Sequence, residues 1–167
     1  MWRRRSRRDR PLSAKAIVAA GSLAALSTGL PWFSYSWVSG SETVTSRLVG
    51  LHDVTGRTMF FAGVAEAAFA IAYLFVHPGI VKRLLRGAMV LLAFYMITVP
   101  LAAVAHSSSV PGSPAVDVPI GVPHVEAAGA IGVVIALLAA LVVLVGSWFT
   151  VLDSVGETVP GRRSRKS

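Results

Sequence analysis

Three stretches of the chain carry neither Lys nor Arg: 16–45, 58–81 and 87–161. A helix needs about 20 consecutive apolar residues to cross a hydrocarbon core of about 30 Å, so the last stretch has room for two crossings and the others for one each. Inside a bilayer only helices and closed barrels satisfy every backbone N–H and C=O. The apolar runs here are continuous, whereas barrel strands would alternate apolar and polar residues. The chain therefore reads as an all-α membrane protein, a bundle of four transmembrane helices. Composition agrees: 54% of the 167 residues are hydrophobic and 14% are charged, against about 25% charged in soluble domains.

Breakers and charge changes divide the chain into a basic head (1–11), a transmembrane domain (12–152) and a basic tail (153–167). The spans are expected at 12–33, 58–76, 84–105 and 125–150. His77-Pro78-Gly79 closes the second span, because neither proline nor glycine continues a helix well. Pro100 is expected to bend the third. The segment Ser6-Arg7-Arg8 resembles the start of a twin-arginine export signal but departs from it at Arg10 and Pro11. No small-x-small cleavage site follows at a convincing place, since the apolar run goes straight into Leu30-Pro31-Trp32-Phe33, so the first apolar segment is expected to remain as a span.

Orientation follows from the cations. With the N terminus inside, fourteen Lys and Arg residues fall on the inner side, among them Arg3, Arg4, Arg5, Lys82, Arg83, Arg86, Arg162 and Arg163, and only Arg47 and Arg57 fall outside. The positive-inside rule then places both termini in the cytoplasm of a cell-membrane protein. These basic groups are expected to face anionic lipid of the inner leaflet, at about 1 kcal/mol each near the surface. The net charge of +8 is thus a topology signal and does not imply nucleic acid. Trp32, Trp37 and Trp148 near span ends fit an aromatic membrane anchor.

The two outer loops differ in kind. Phe33, Tyr35 and Trp37 alternate with serines, Ser39-Gly40-Ser41 supplies a turn, and 44–51 is rich in β-formers. This predicts a short extracytoplasmic β-hairpin between helices one and two, its aromatic face either packed on the helix ends or offered to a partner. The second loop, 106–124, carries Pro111, Pro114, Pro119 and Pro123 and is expected to be irregular.

Glu66 is the one ionisable side chain well inside a span, about 12 Å below the outer surface if the helix starts at Thr58. A charge there costs at least a few kcal/mol, so the residue must face protein or water. Ala62, Gly63, Ala70 and Tyr73 share its face. Ser27 and Thr28 of helix one, and Tyr95 and Thr98 of helix three, are its expected hydrogen-bond partners. The alternatives are a structural lock, a docking point for a partner and a proton or ion site. At the outer surface His52, Asp53, His106, Asp117, His124 and Glu126 offer imidazole and carboxylate donors that would suit zinc if the loops met. The plainer expectation is that His124 and Glu126 cap helix four, where a carboxylate complements the helix dipole. The absence of cysteine excludes disulfides and thiolate chemistry, no catalytic motif is present, and neither enzyme activity nor a cofactor is expected.

The Arg-rich head, Leu30-Pro31-Trp32 closing the first span, Val54-Thr55-Gly56 leading into the second and the basic turn before the third resemble small four-span actinobacterial membrane proteins typified by the tryptophan-associated transmembrane family. That resemblance implies a fold layout and carries no catalytic residues across. The stripe Ala16, Ala20, Ala24, Thr28 and the pair Gly129 and Gly132 suit close helix packing. The expected role is contact-based: an accessory or scaffolding subunit of a membrane or envelope complex, with a membrane-protein partner or further copies of itself. The alternatives are a small ion-coupled carrier built on Glu66 and an extracytoplasmic metal binder or sensor.

Overall fold

A computed structural model describes residues 10–39, 41–77, 79–107 and 125–155. The elements run α1 (Arg10–Ser27), β1 (Pro31–Ser39), β2 (Glu42–Val49), a 3-10 turn (Gly50–His52), α2 (Val54–Phe75), α3 (Ile80–Ser107), β3 (Val125–Gly129) and α4 (Ile131–Val155). Each helix packs on the next and α4 closes back on α1, giving a four-membered ring. Three helical segments, Val54–Phe75, Ile80–Ala105 and Ile131–Leu152, are long and apolar enough to cross a membrane, and the first contributes a shorter apolar segment, Ser13–Ser27.

Small residues make the core. The face α1 turns inward holds Ala14, Ile17, Ala20, Ala24 and Ala25, and that of α2 holds Met59, Ala62, Gly63 and Ala70. Ala93 and Ala103 recur on α3, and Ala136, Ala139 and Ala140 on α4. Large side chains such as Phe61, Phe75, Leu84 and Leu91 stand more than two-thirds exposed on the outside. In water such a surface would be untenable. Small inward residues let backbones approach, as membrane helices require in the absence of a hydrophobic drive between them. At the α1–α2 crossing a Cβ on Gly63 would lie 2.6 Å from the Gly21 carbonyl oxygen, and one on Gly21 would lie 2.9 Å from that of Gly63. Of the alanine stripe expected on α1, Ala20, Ala24 and Thr28 are buried, while Ala16 faces outward.

The first helix is shorter than expected. It ends at Ser27, and residues 28–33 form a turn and the start of a strand. Ser27 and Thr28 fold their hydroxyls back onto the carbonyls of Ala24 and Ala25 at 2.7 and 2.6 Å, which competes with helix continuation. The indole Nε1 of Trp32 donates to the Ser27 carbonyl at 3.1 Å, satisfying an acceptor that a helix end leaves open.

The hairpin forms, and a third strand joins it. The sheet order is β2-β1-β3, all antiparallel, with Trp37 opposite Val44 on one side and Val125 on the other. A register irregularity between Pro31 and Phe33 sends Trp32 into the bundle, while Phe33, Tyr35 and Trp37 share the opposite face. All four are buried. The aromatic face is therefore consumed within the chain and is not free for a partner. Strand β3 corrects a second boundary, since 125–129 was expected to open the fourth helix, which instead starts at Ile131. The free edge of β1 favours the extended form there, and the Ala130 N–H donates to the Trp32 carbonyl at 2.8 Å.

Candidate functional site

Among the described residues, two places hold buried polar atoms without a hydrogen-bond partner: the middle of the bundle, and the end of the α2–α3 pair away from the sheet.

Glu66 sits on the buried face of α2 that also carries Met59, Ala62, Gly63 and Ala70. The helix starts at Val54, four residues before the expected start, so Glu66 lies about 18 Å from that end at 1.5 Å per residue, close to the helix midpoint. Its exposure is 0%. The partner is one that sequence reasoning missed: Ser147 of α4, whose Oγ donates to Oε1 at 3.4 Å across the bundle. The signal was present in the spacing, because Ala136, Ala140, Val143, Ser147 and Thr150 recur at three- and four-residue intervals on one face of α4. Glu66 Oε2 has no hydrogen-bond partner among the described residues.

None of the four expected partners reaches Glu66. Ser27 and Thr28 are buried but spend their hydroxyls on their own helix. Tyr95 and Thr98 stand exposed on α3, and the Thr98 hydroxyl donates to the Tyr95 carbonyl at 2.7 Å. An open groove of about 480 Å³ lies between α2 and α3 near the sheet, with Arg57 and Thr58 at its polar rim and Phe61, Leu92 and Tyr95 along it.

At the sheet end the expected donors separate. Asp53 caps α2, its Oδ2 accepting from the Thr55 N–H at 2.8 Å, while His52 is exposed on the 3-10 turn. Arg57 donates to the carbonyls of Leu51 and His52, holding that turn against α2. Glu126 lies on β3 opposite Ser36 and so does not cap α4. The side chains of His106 and Glu126 lie outside the described part of the structure, as do Asp117 and His124. No cluster of three metal-binding side chains occurs among the described residues. Burial, together with the nearby Asp53 carboxylate, pushes the Tyr35 phenol above its usual value of 10.0.

Trp32 is fully buried and so does not anchor the chain in a lipid interface. Its indole is wedged between Gly50 and Gly132: a Cβ on either would lie 2.7 or 2.5 Å from the ring. Trp37 is buried in the sheet, and Trp148 alone of the three expected anchors is exposed, at 54%.

At the far end, Tyr73 on α2 meets two cations of α3. Arg86 Nη2 donates to the Tyr73 hydroxyl at 3.1 Å, and Lys82 Nζ stands 4.5 Å from the ring centroid. Arg86 Nε is buried with no hydrogen-bond partner among the described residues. Arg83 is exposed. Arg3, Arg4, Arg5, Arg162 and Arg163 lie outside the described residues. Compared with protein-family models and with curated proteins, the chain matches none.

Proposed function

We propose that the chain is a four-span membrane protein with both termini on the cytoplasmic side, acting through contacts as an accessory or scaffolding subunit of a membrane or envelope complex. The observation that carries this reading is the closed centre of the bundle. Glu66 has no exposure and one long hydrogen bond, and backbone-to-backbone glycine contact at Gly21 and Gly63 seals the flank beside it. A carrier needs polar groups leading from the midplane to both surfaces. Here the buried hydroxyls of Ser27, Thr28 and Thr150 are turned onto their own helices. The carboxyl group then acts as a polar lock between α2 and α4, and the outward helix faces are what the protein offers to lipid and partners. The resemblance to the tryptophan-associated transmembrane family fits this layout and remains part of the proposal.

Two measurements test it. The chain has no cysteine, so single cysteines placed at Ser6, Ser41 and Ser164 report sidedness without background. Labelling of Ser41→Cys from outside intact cells, with Ser6→Cys and Ser164→Cys labelled only after permeabilisation, is expected. The contact role is tested by extraction in a gentle detergent followed by native gels and mass spectrometry of wild type and Glu66→Ala. Stoichiometric co-purifying protein supports the reading, and its loss in the variant places the contact at α2. A chain that runs alone or only with itself in both forms overturns it.

One observation favours a second reading, an ion-coupled carrier: Oε2 of Glu66 is free to take a proton or cation. That reading expects Glu66→Gln to abolish a transport-linked phenotype while the protein stays folded.

A further inference from the structure

We propose that the far end of the α2–α3 pair is a headgroup site for one anionic phospholipid, whose phosphate is held by Lys82 and Arg86 beside Tyr73. The argument begins with a local rule that the sequence breaks. The N-terminus of a helix carries partial positive charge and favours acidic residues, yet the first turn of α3 has no acidic residue and holds Lys82 and Arg83, with Arg86 one turn on. Lys82 and Arg86 are four residues apart, on one face of the helix, where like charges repel. Both converge on the same ring: Lys82 Nζ lies 4.5 Å and the Arg86 guanidinium carbon 5.7 Å from the Tyr73 centroid.

A bound anion would relieve each of these strains. A phosphate accepts charge-assisted hydrogen bonds from an ammonium and a guanidinium, and basic pockets between helices on the cytoplasmic side recognise lipid headgroups in this way. Arg86 supplies the second observation. Its Nη2 is held by the Tyr73 hydroxyl and its Nε is buried with no partner among the described residues, so the guanidinium keeps a full charge that the neutral tyrosine does not compensate. Cations that only set topology could sit anywhere in the loop and remain solvated. They would not need to be aimed at a tyrosine.

The surroundings select a lipid over free phosphate. Phe75 at the end of α2 and Ile80 and Leu84 at the start of α3 are 79%, 75% and 68% exposed. They mark this end of both helices as solvated by lipid, so an anion that reaches Lys82 and Arg86 comes from the headgroup layer. The site rests on the membrane-spanning reading above, with this end on the cytoplasmic side.

The test is native mass spectrometry of the full chain in a non-ionic detergent, titrated separately with phosphatidylglycerol, phosphatidylcholine and inorganic phosphate. One phosphatidylglycerol per chain is expected, with phosphatidylcholine and phosphate binding at least about tenfold more weakly. Arg86→Gln and Lys82→Gln should each weaken the lipid by roughly fivefold or more, Arg86→Lys should fall between, and Arg47→Gln, on strand β2 at the opposite end, should change nothing. Tyr73→Phe, which keeps the ring and removes the hydroxyl that aims Arg86, should weaken binding while leaving the circular dichroism spectrum unchanged. Equal binding of the two lipids, or full binding by the Lys82→Gln and Arg86→Gln variants together, overturns the site. Phosphate matching the lipid overturns the choice of ligand. Failure of the topology itself is read separately, from the Ser41→Cys labelling, so the two proposals fall independently.

Discussion

At the scale of single residues, glycine carries more of the architecture than the carboxyl group that first draws notice. The Glu66–Ser147 bond is long, at 3.4 Å, and interhelical hydrogen bonds in membranes average about 0.6 kcal/mol. Ser147→Ala is therefore expected to cost under about 1 kcal/mol in a detergent unfolding titration. Gly132→Ala should cost more, about 1–3 kcal/mol, since its Cβ would meet the Trp32 ring at 2.5 Å and the Pro31 carbonyl at 2.8 Å. Gly87→Ala provides the opposite sign. Nothing lies within 4 Å of a Cβ there, so the helix-propensity gain of up to about 1 kcal/mol should appear as added stability. A pH effect belongs at this scale too. The Tyr35 phenol is raised above 10.0 by burial first and by Asp53 second, so the native state holds that proton more tightly than the unfolded chain does. Its contribution is complete below about pH 10 and is lost as pH climbs through the higher native value. The tyrosinate absorbance attributable to Tyr35, identified by difference from Tyr35→Phe, should appear at lower pH in Asp53→Asn, whose side chain still caps α2.

At the scale of elements, what could be read from the sequence was what repeats, and what could not was what depends on a distant partner. The spans of α2 and α3 follow from apolar length alone, and the hairpin from the alternation of Phe33, Tyr35 and Trp37 with serines. The end of α1 was misplaced because Leu30 to Phe33 is as apolar as the helix before it, and hydropathy does not register that Trp32 turns back to donate to Ser27. Strand β3 was invisible for a similar reason: VEAAG carries no strong strand preference of its own and is extended because β1 offers it an edge. The candidate site divides the same way. Burial of Glu66 was legible from its position in an apolar run, whereas its partner lies 81 residues along the chain, where only a contact between helices can bring it. The three-stranded register is directly testable. Ser34 and Ala128 are opposed in the β1–β3 pair, and directly opposed Cα atoms lie about 4.5–5.5 Å apart, within disulfide reach. Ser34→Cys with Ala128→Cys should crosslink on mild oxidation in membranes, while a cysteine at 128 paired with one at 38 should not. No crosslink at either pair would return 125–129 to the helix.

At the scale of the whole molecule, the distribution of side chains and the distribution of charge serve separate ends. Alanine and glycine inside with phenylalanine and leucine outside suit a chain solvated by lipid, but leave orientation undetermined, because an apolar belt is the same from either side. Orientation rests on the cations, and they are redundant. Of the fourteen assigned to the inner side, only Lys82, Arg83 and Arg86 lie at the start of α3. Neutralising all three leaves eleven, ten in the head and tail and Lys15 near the start of α1, against Arg47 and Arg57 on the other side, so the bias that sets topology persists. The triple variant Lys82→Gln, Arg83→Gln, Arg86→Gln should therefore insert with Ser41→Cys still labelled from outside, while losing the retained anionic lipid. If the three cations serve topology alone, the same variant should bind lipid as wild type does or insert in mixed orientations. A single protein preparation thus separates a charge that orients a helix hairpin from a charge that holds a ligand.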